Sequence, residues 1–278
     1  MKLRMAGISR QAEYSPNHVE NDSLILRATA EVLKALDVDV IFYGEGEVLN
    51  SNFNEELIFS MAQGPEAIEK LLELEKNGAF IINSPRSVKN CYRTNMVRLL
   101  PGNGIPFPKS TEVEINSDLD IDLNGFDPHK FWIKRGDVHA VHREDVTLVY
   151  SKDENKSMMK EFFRRGIKTA IIQEHLEGDV IKFYAVRNSG FFNWYYLNGK
   201  YHTKFDLNKL IELASFSAEI LGLDVYGGDA IVSPNGSISI IDMNDWPSFA
   251  PVRDEAKEHI ANLIYKMAVK YAEHKNKK

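Results

Sequence analysis

The pattern of apolar residues changes near residue 85, and this change constrains the fold more than any other feature of the chain. Before it, short β-type runs such as 3–8 and 38–43 alternate with stretches of helical periodicity, one of them over 25–36. Strands that alternate with helices form parallel sheets covered by those helices. Residues 1–85 are therefore predicted to form a small parallel α/β domain.

Later in the chain, β-type runs follow one another closely. A helix is predicted over 87–100 and an acidic, turn-rich stretch over 111–127, and between 131 and 197 only one helix, about 152–165, separates the strands. Strands crowded in this way favour antiparallel sheets. The chain ends with a hairpin around Pro234-Asn235-Gly236 and a long helix. The predicted strands are 131–135, 146–150, 169–175, 180–187, 191–197, 225–233 and 237–243.

Composition excludes several classes of protein. The 278 residues carry 34 Lys and Arg against 40 Asp and Glu, a net charge of −6, and a chain that wraps nucleic acid needs a basic excess. Cys91 is the only cysteine, so neither an internal disulfide nor a cysteine-based zinc site can form. The first ten residues lack the apolar core of a signal peptide, and no run of about 18 apolar residues exists. We expect a cytoplasmic protein with no nucleic-acid or membrane partner.

The common nucleotide and catalytic motifs are missing from the sequence. It has no G-x-x-x-x-G-K-[ST], no G-x-G-x-x-G after its first strand, and no G-x-S-x-G. A nucleotide would have to be held by other means.

Three oxygen-bearing side chains meet in the last predicted hairpin. Asp242 and Asn244 are two apart on one strand and share a face, and the hairpin brings Asp229 near them. Carboxylate and amide oxygens suit Mg²⁺, and like charges in apolar surroundings are costly without a cation. The alternative is that both carboxylates only cap strand ends at the surface.

This hairpin, with Pro247 behind Asp242-Met243-Asn244, resembles the carboxyl end of the ATP-grasp fold. The resemblance covers roughly 85–272 and extends to glutathione synthetase-like and ribosomal-protein-modification-like ligases. It also extends to inositol trisphosphate kinases, which often have Asp in this D-x-N. The other segments that carry it, in order, are Gly104-Ile105-Pro106-Phe107-Pro108, Phe131-Trp132-Ile133-Lys134, the stretch 171–179 and the strand 180–186.

The resemblance implies a fold class, α/β (α+β), in which the parallel α/β domain 1–85 precedes a two-lobed ATP-grasp unit, 86–278, with antiparallel sheets. Its lid-like lobe would span about 108–170 and its C-terminal lobe about 171–278. The cofactors implied are ATP and Mg²⁺, with Asp229, Asp242 and Asn244 as metal ligands. Lys134 and Lys182 would contact the phosphates. The remaining implied nucleotide contacts lie in and after the hinge: Gln173, Glu174, His175, Leu176 and Asp179.

The loop 135–145 departs from the family, because it has one glycine where a glycine-rich loop is usual. Arg135 and His142 are candidate catalytic residues there, since inositol phosphate kinases also carry histidines in this loop. Exposed turn residues are the simpler interpretation. Arg253 is a third candidate catalytic residue, and Arg253 and Ser248 are candidates for contacting the second substrate.

Three functions remain open for the chain. The first is a ligase that converts a carboxylate to an acyl phosphate, the second is a small-molecule kinase, and the third is nucleotide binding without catalysis. The loop around Arg10, Tyr14 and His18 and the loop 135–145 are expected to select a small-molecule acceptor. Trp246 and Phe249 are expected in the core or in a wall of the site.

Overall fold

The computed structural model describes residues 3–16, 18–50, 52–116, 123–138, 141–198 and 202–275. The strands of this part of the chain form three four-stranded sheets, one parallel and two antiparallel. The predicted fold class is confirmed. Among the described residues no helix combines the length and the apolar character needed to cross a bilayer.

The first sheet is parallel, in the order β2-β1-β3-β4. Apolar side chains fill both of its faces, as expected of a sheet covered by helices. The helix α2 starts with Pro65 at its first turn, where a missing N–H has no cost. The elements are β1 (Leu3–Ser9), α1 (Val19–Ala35), β2 (Val38–Gly44), β3 (Leu57–Ser60), α2 (Pro65–Lys76) and β4 (Phe80–Ile82).

The helix predicted over 87–100 is wrong as a single element. It is two helices, α3 (Pro85–Asn90) and α4 (Arg93–Gly102). The break falls at Tyr92, whose backbone is extended and whose hydroxyl donates a 2.7 Å hydrogen bond to the carbonyl of Gln63. This tertiary contact overrides the helical periodicity.

The second sheet is antiparallel, in the order β5-β8-β6-β7, with α5 packed on it. The predicted turn-rich stretch 111–127 was wrong at its start, because 110–114 is an edge strand. Its polar, half-exposed side chains hide the usual alternation. The elements are β5 (Ser110–Glu114), β6 (Phe131–Arg135), β7 (Val146–Val149), α5 (Lys152–Arg164) and β8 (Thr169–Glu174).

The third sheet is antiparallel, in the order β10-β9-β11-β12. The last helix, α7, packs on α1, and its Ile260 and Ile264 share one apolar core with Met5 of the first sheet and Tyr184 of the third. One apolar core therefore extends across the predicted domain boundary at residue 85. The division into domains at this residue stays a prediction. The elements are β9 (Asp179–Val186), β10 (Phe192–Asn198), α6 (Leu207–Leu221), β11 (Val225–Val232), β12 (Ile238–Asp245) and α7 (Arg253–Lys275).

Candidate active site

Four side chains form one row across the third sheet. Tyr195 on β10 lies opposite Lys182 on β9. Lys182 lies opposite Asp229 on β11, which lies opposite Asp242 on β12. Directly opposite residues present their side chains on one face, and Asn244 shares it because it is two positions after Asp242. The register therefore brings the three predicted metal ligands together, with Lys182 beside them.

Lys182 forms an ion pair with the nearer carboxylate. Its Nζ donates to both oxygens of Asp229, at 3.0 and 3.2 Å. Burial alone would lower the pKa of Lys182, but Asp229 outweighs it and the pKa is raised. Burial raises the pKa of Asp229, and Asp242 adds to this effect while Lys182 opposes it. Two buried carboxylates side by side need positive charge, of which Lys182 supplies a part.

Asp242 has an oxygen available to a ligand. Its Oδ1 is buried and has no hydrogen-bond partner among the described residues. A buried, unpartnered carboxylate oxygen is costly, and a cation would satisfy it. In the described part of the chain no group of three His, Cys, Asp or Glu side chains could hold a metal, so the amide of Asn244 has to join Asp229 and Asp242. This hard-oxygen set fits Mg²⁺.

Lys134, on the second sheet, interacts electrostatically with the same carboxylates. It is only 7% exposed, and this burial lowers its pKa to about 8, with Arg93 adding to the decrease. Asp242 and Asp229 favour its charged form. The β6 lysine predicted to contact phosphates therefore lies within electrostatic reach of the predicted metal ligands.

Sequence reasoning missed Arg93. It is the first residue of α4, and its Nη2 lies 3.6 Å from Oδ2 of Asp242. Its Nη1 donates to the carbonyl of Arg135, and its Nε is buried without a partner among the described residues. No sequence motif identifies this arginine. Its position depends on the helix break at Tyr92, where the tyrosine hydroxyl bonds to the carbonyl of Gln63 after β3. A third cation thus joins Lys134 and Lys182.

A cavity of about 510 Å³ adjoins the row. Its walls come from the loop after β1, from β9 and β10, and from the segment after β12. Tyr14, His18 and Ser248, which sequence analysis assigned to the acceptor, line it together with Lys182 and Asn244. Its size is that of a small-molecule site.

Arg10 lines the cavity but is already bound. Its Nη1 donates to Asp22 at 2.8 Å, its Nε to the carbonyl of Met61 at 3.1 Å, and its Nη2 to the carbonyl of Trp246 at 3.0 Å. Trp246 has a left-handed φ of 37° and is fully buried, as is Phe249, so the predicted core position of both residues is confirmed. Arg10 thus holds the segment that follows the predicted metal ligands.

The predicted hinge, 171–179, comprises the end of β8, the segment 175–178 that joins it to β9, and the first residue of β9. Gln173 is buried, and its side chain donates to Ser110. Glu174 accepts a 2.6 Å hydrogen bond from the N–H of Lys109. These side chains are held within the protein, so a nucleotide at this segment would meet its backbone groups.

The later hinge residues vary in exposure. The Nδ1 of His175 accepts a hydrogen bond from the indole N–H of Trp132 at 3.2 Å, and burial lowers the pKa of His175. Leu176 is half-buried in the connecting segment. Asp179 is buried at the start of β9 and accepts a hydrogen bond from the N–H of Thr203.

The three candidate catalytic residues are not brought to the row. Arg135 pairs with Asp137 at 2.6 Å. His142 is exposed, and its backbone N–H donates to Oδ2 of Asp145 at 3.1 Å. Arg253 donates to Asn21 at 2.7 Å. None of the three is among the described residues that line the cavity.

Solved structures with the same architecture decide the fold. The D-alanine–D-alanine ligase from Bacillus anthracis is 12% identical with a TM-score of 0.72, and the match covers 98% of this chain and 99% of that one. A RimK domain ATP-grasp protein from Sphaerobacter thermophilus is 14% identical with a TM-score of 0.72, over 94% and 99%. The chain has the ATP-grasp fold.

A third solved structure agrees with the first two. The VanG D-Ala:D-Ser ligase from Enterococcus faecalis is 15% identical with a TM-score of 0.71, over 96% of this chain and 100% of that one. No protein-family model matches the chain, and no curated protein sequence matches it significantly. The similarity to these solved structures is thus a similarity of fold.

Proposed function

We propose that this chain is a Mg²⁺- and ATP-dependent ligase of the carboxylate–amine type, acting on a small-molecule carboxylate through an acyl phosphate. The observation that carries the proposal is the row of Lys182, Asp229 and Asp242 on the third sheet, met by Lys134 from the second. This arrangement supports the proposal because cationic side chains and carboxylate oxygens lie beside a cavity of small-molecule size. The solved structures with this fold include one D-alanine–D-alanine ligase complexed with ATP.

Each side chain has a task in the proposed reaction. Lys134 and Arg93 bind the phosphates of ATP. Lys182, for which the resemblance implied a phosphate contact, instead holds the acceptor carboxylate next to the γ-phosphorus, because it lines the cavity opposite Tyr195. The carboxylate oxygen attacks that phosphorus, the new P–O bond forms as the bond to the β–γ bridging oxygen breaks, and ADP leaves. An amine then displaces phosphate from the acyl carbon. Mg²⁺ at Asp229, Asp242 and Asn244 supplies charge neutralisation of the phosphates when bound.

The kinase alternative rests on D-x-N, on the histidines of the 135–145 loop and on Lys182. The exposed position of His142, outside the cavity lining, gives it no support, while His139 lies outside the described residues. Nucleotide binding without catalysis remains the third candidate, and the tests below separate all three. The cytoplasmic location stays a prediction.

Nucleotide binding is testable by thermal unfolding. Addition of Mg·ADP is expected to raise the Tm, because a ligand that binds only the folded state stabilises it by about 2.7 kcal/mol at a hundredfold excess over its Kd. The measurement is differential scanning calorimetry with and without Mg²⁺. An unchanged Tm at millimolar Mg·ADP would contradict the nucleotide site itself.

The reaction type is testable with hydroxylamine. An acyl phosphate is a mixed anhydride and reacts to a hydroxamate, whereas a phosphate ester does not. With ATP, Mg²⁺ and a panel of carboxylic acids, ATP-dependent hydroxamate is expected from at least one acid. Transfer of labelled γ-phosphate to a stable alcohol product, with no hydroxamate from any acid, would establish the kinase instead. Mg·ADP binding with neither product would indicate the non-catalytic class.

A further inference from the structure

The wall of the cavity away from the metal ligands is aromatic and apolar. Tyr195 ends the row that begins at Asp242, and neighbouring strands are about 4.8 Å apart, so it lies roughly 14 Å from that carboxylate across the sheet. Tyr184, Leu197, Pro247 and Ala250 also line this part of the cavity. A substrate whose reactive end lies at Asp229 and Lys182 must extend its body over these side chains.

This wall is held in place by its own contacts. The Tyr184 and Tyr195 hydroxyls lie 3.4 Å apart, and the Tyr184 ring packs 5.2 Å from the buried ring of Phe249. Gly227 lies opposite Tyr184 in the register, and a Cβ there would come within 2.9 Å of Cγ of Pro247 and 3.2 Å of Cδ1 of Tyr184. A glycine at this position therefore lets the tyrosine and the proline close up. The wall is preformed, which lowers the entropy cost of binding.

An apolar surface is also left open at the edge of the cavity. Leu197 is 53% exposed, the second most exposed of the large apolar side chains of the described chain. It lies two positions after Tyr195 on β10 and lines the same cavity. An exposed leucine beside a tyrosine in a concave site indicates contact with an apolar ligand group.

The charges of the cavity fit one carboxylate. Of its basic side chains, Arg10 is bonded to Asp22 and to backbone carbonyls, and Arg93 lies against Asp242. His18 is exposed. Lys182 is also paired, with Asp229, but it is the basic lining residue that lies directly opposite Tyr195 of the wall. A polyphosphate would need several such cations.

We infer that the acceptor is a monocarboxylic acid with an aromatic or bulky apolar body, its carboxylate at Lys182 and its body over Tyr195 and Leu197. This inference rests on the proposed ligase function. It specifies the substrate class that the proposed site takes.

The test compares acids that share a carboxylate and differ in their bodies. Binding of 3-phenylpropanoate, propanoate and succinate to the protein loaded with Mg·ADP is measured by calorimetry, with myo-inositol trisphosphate as a polyanionic probe. We expect 3-phenylpropanoate to bind about 10- to 100-fold more tightly than propanoate, because its ring is buried. Equal binding of the two acids, or tighter binding of succinate or inositol trisphosphate, would overturn the inference.

Substitutions in the aromatic wall test whether its side chains cause the preference for 3-phenylpropanoate over propanoate. Tyr195→Ala is expected to reduce the ratio of the two affinities about 10-fold, and Tyr195→Phe to keep most of it. Leu197→Ser, at an exposed position where folding is not at risk, is expected to reduce the ratio about 3-fold. Tyr150→Ala is the matched control, since Tyr150 is exposed and lies outside the cavity lining. An unchanged ratio in both Tyr195→Ala and Leu197→Ser would contradict the inference.

Hydroxamate measurements on the same acids separate this inference from the ligase proposal. Tight binding of 3-phenylpropanoate without hydroxamate from any acid supports the acceptor class and overturns the ligase. Hydroxamate formed equally well from propanoate and 3-phenylpropanoate supports the ligase and overturns the acceptor class.

Discussion

Asp242→Asn is expected to lower Mg²⁺-dependent turnover by about 10³-fold, because charge stabilisation of a transferred phosphoryl group contributes on that scale. The change keeps the shape of the side chain and removes the negative charge of the oxygen that has no partner. It also removes the repulsion between Asp242 and Asp229 and the attraction of Asp242 for Arg93 and Lys134. These effects oppose each other, so the Tm is expected to change little.

The measurement is steady-state turnover over a range of Mg²⁺ concentrations, with a Tm recorded for each variant. Asp254→Asn is the matched control, since Asp254 is fully exposed at the start of α7 and is expected to give wild-type kinetics. Full activity of Asp242→Asn at wild-type Mg²⁺ concentrations would remove Asp242 from the metal site. A large decrease in Tm would show instead that the carboxylate is needed to hold the sheet together.

Lys134→Met is expected to make the free protein more stable and to abolish nucleotide binding. The pKa of Lys134 falls from its usual 10.5 to about 8 in the folded protein. At about 1.4 kcal/mol per tenfold change in proton affinity, the charged form is disfavoured on folding by up to about 3 kcal/mol. Methionine has a similar volume and carries no charge, so the free energy of unfolding should rise at pH 7.

The increase in the free energy of unfolding caused by Lys134→Met should depend on pH. Below pH 8 Lys134 is charged in both states, and the wild-type protein bears the whole penalty. As the pH rises from 8 to 10.5, the folded state loses this proton before the unfolded state does, so the wild type becomes relatively more stable. The difference between Lys134→Met and wild type is therefore expected to be largest at pH 7 and small at pH 10.

Denaturant unfolding at the two pH values tests this, together with the Tm shift caused by Mg·ADP. Lys168→Met is the matched control, because Lys168 is exposed beside β8, and no change is expected in either measurement. A variant that is less stable than wild type at pH 7, or that keeps the Mg·ADP shift, would contradict the role given to Lys134. Loss of the Mg·ADP-induced Tm shift without an increase in the free energy of unfolding would contradict only the predicted stabilisation by Lys134→Met.

The sequence by itself determined the layer architecture, because periodicity is a local property. It distinguished the parallel first sheet from the antiparallel ones and placed Asp229 and Asp242 on one hairpin. Local patterning also placed Lys134 on a strand and Trp246 in the core. It failed at 110–114, where an edge strand has no buried face to impose alternation, and at Tyr92, where a contact with Gln63 breaks a helix.

Which side chains lie close together in the candidate site depends on the tertiary structure alone. Arg93 reaches Asp242 because the break at Tyr92 starts a new helix there. Arg10, expected at the acceptor, is instead bonded to Met61 and Trp246, which are distant in sequence. The row from Asp242 to Tyr195 depends on the order in which four strands pair, and that order is set by packing across the whole chain. The pairing of strands that are distant in the sequence and the packing of helices are non-local, so a local sequence pattern does not fix them.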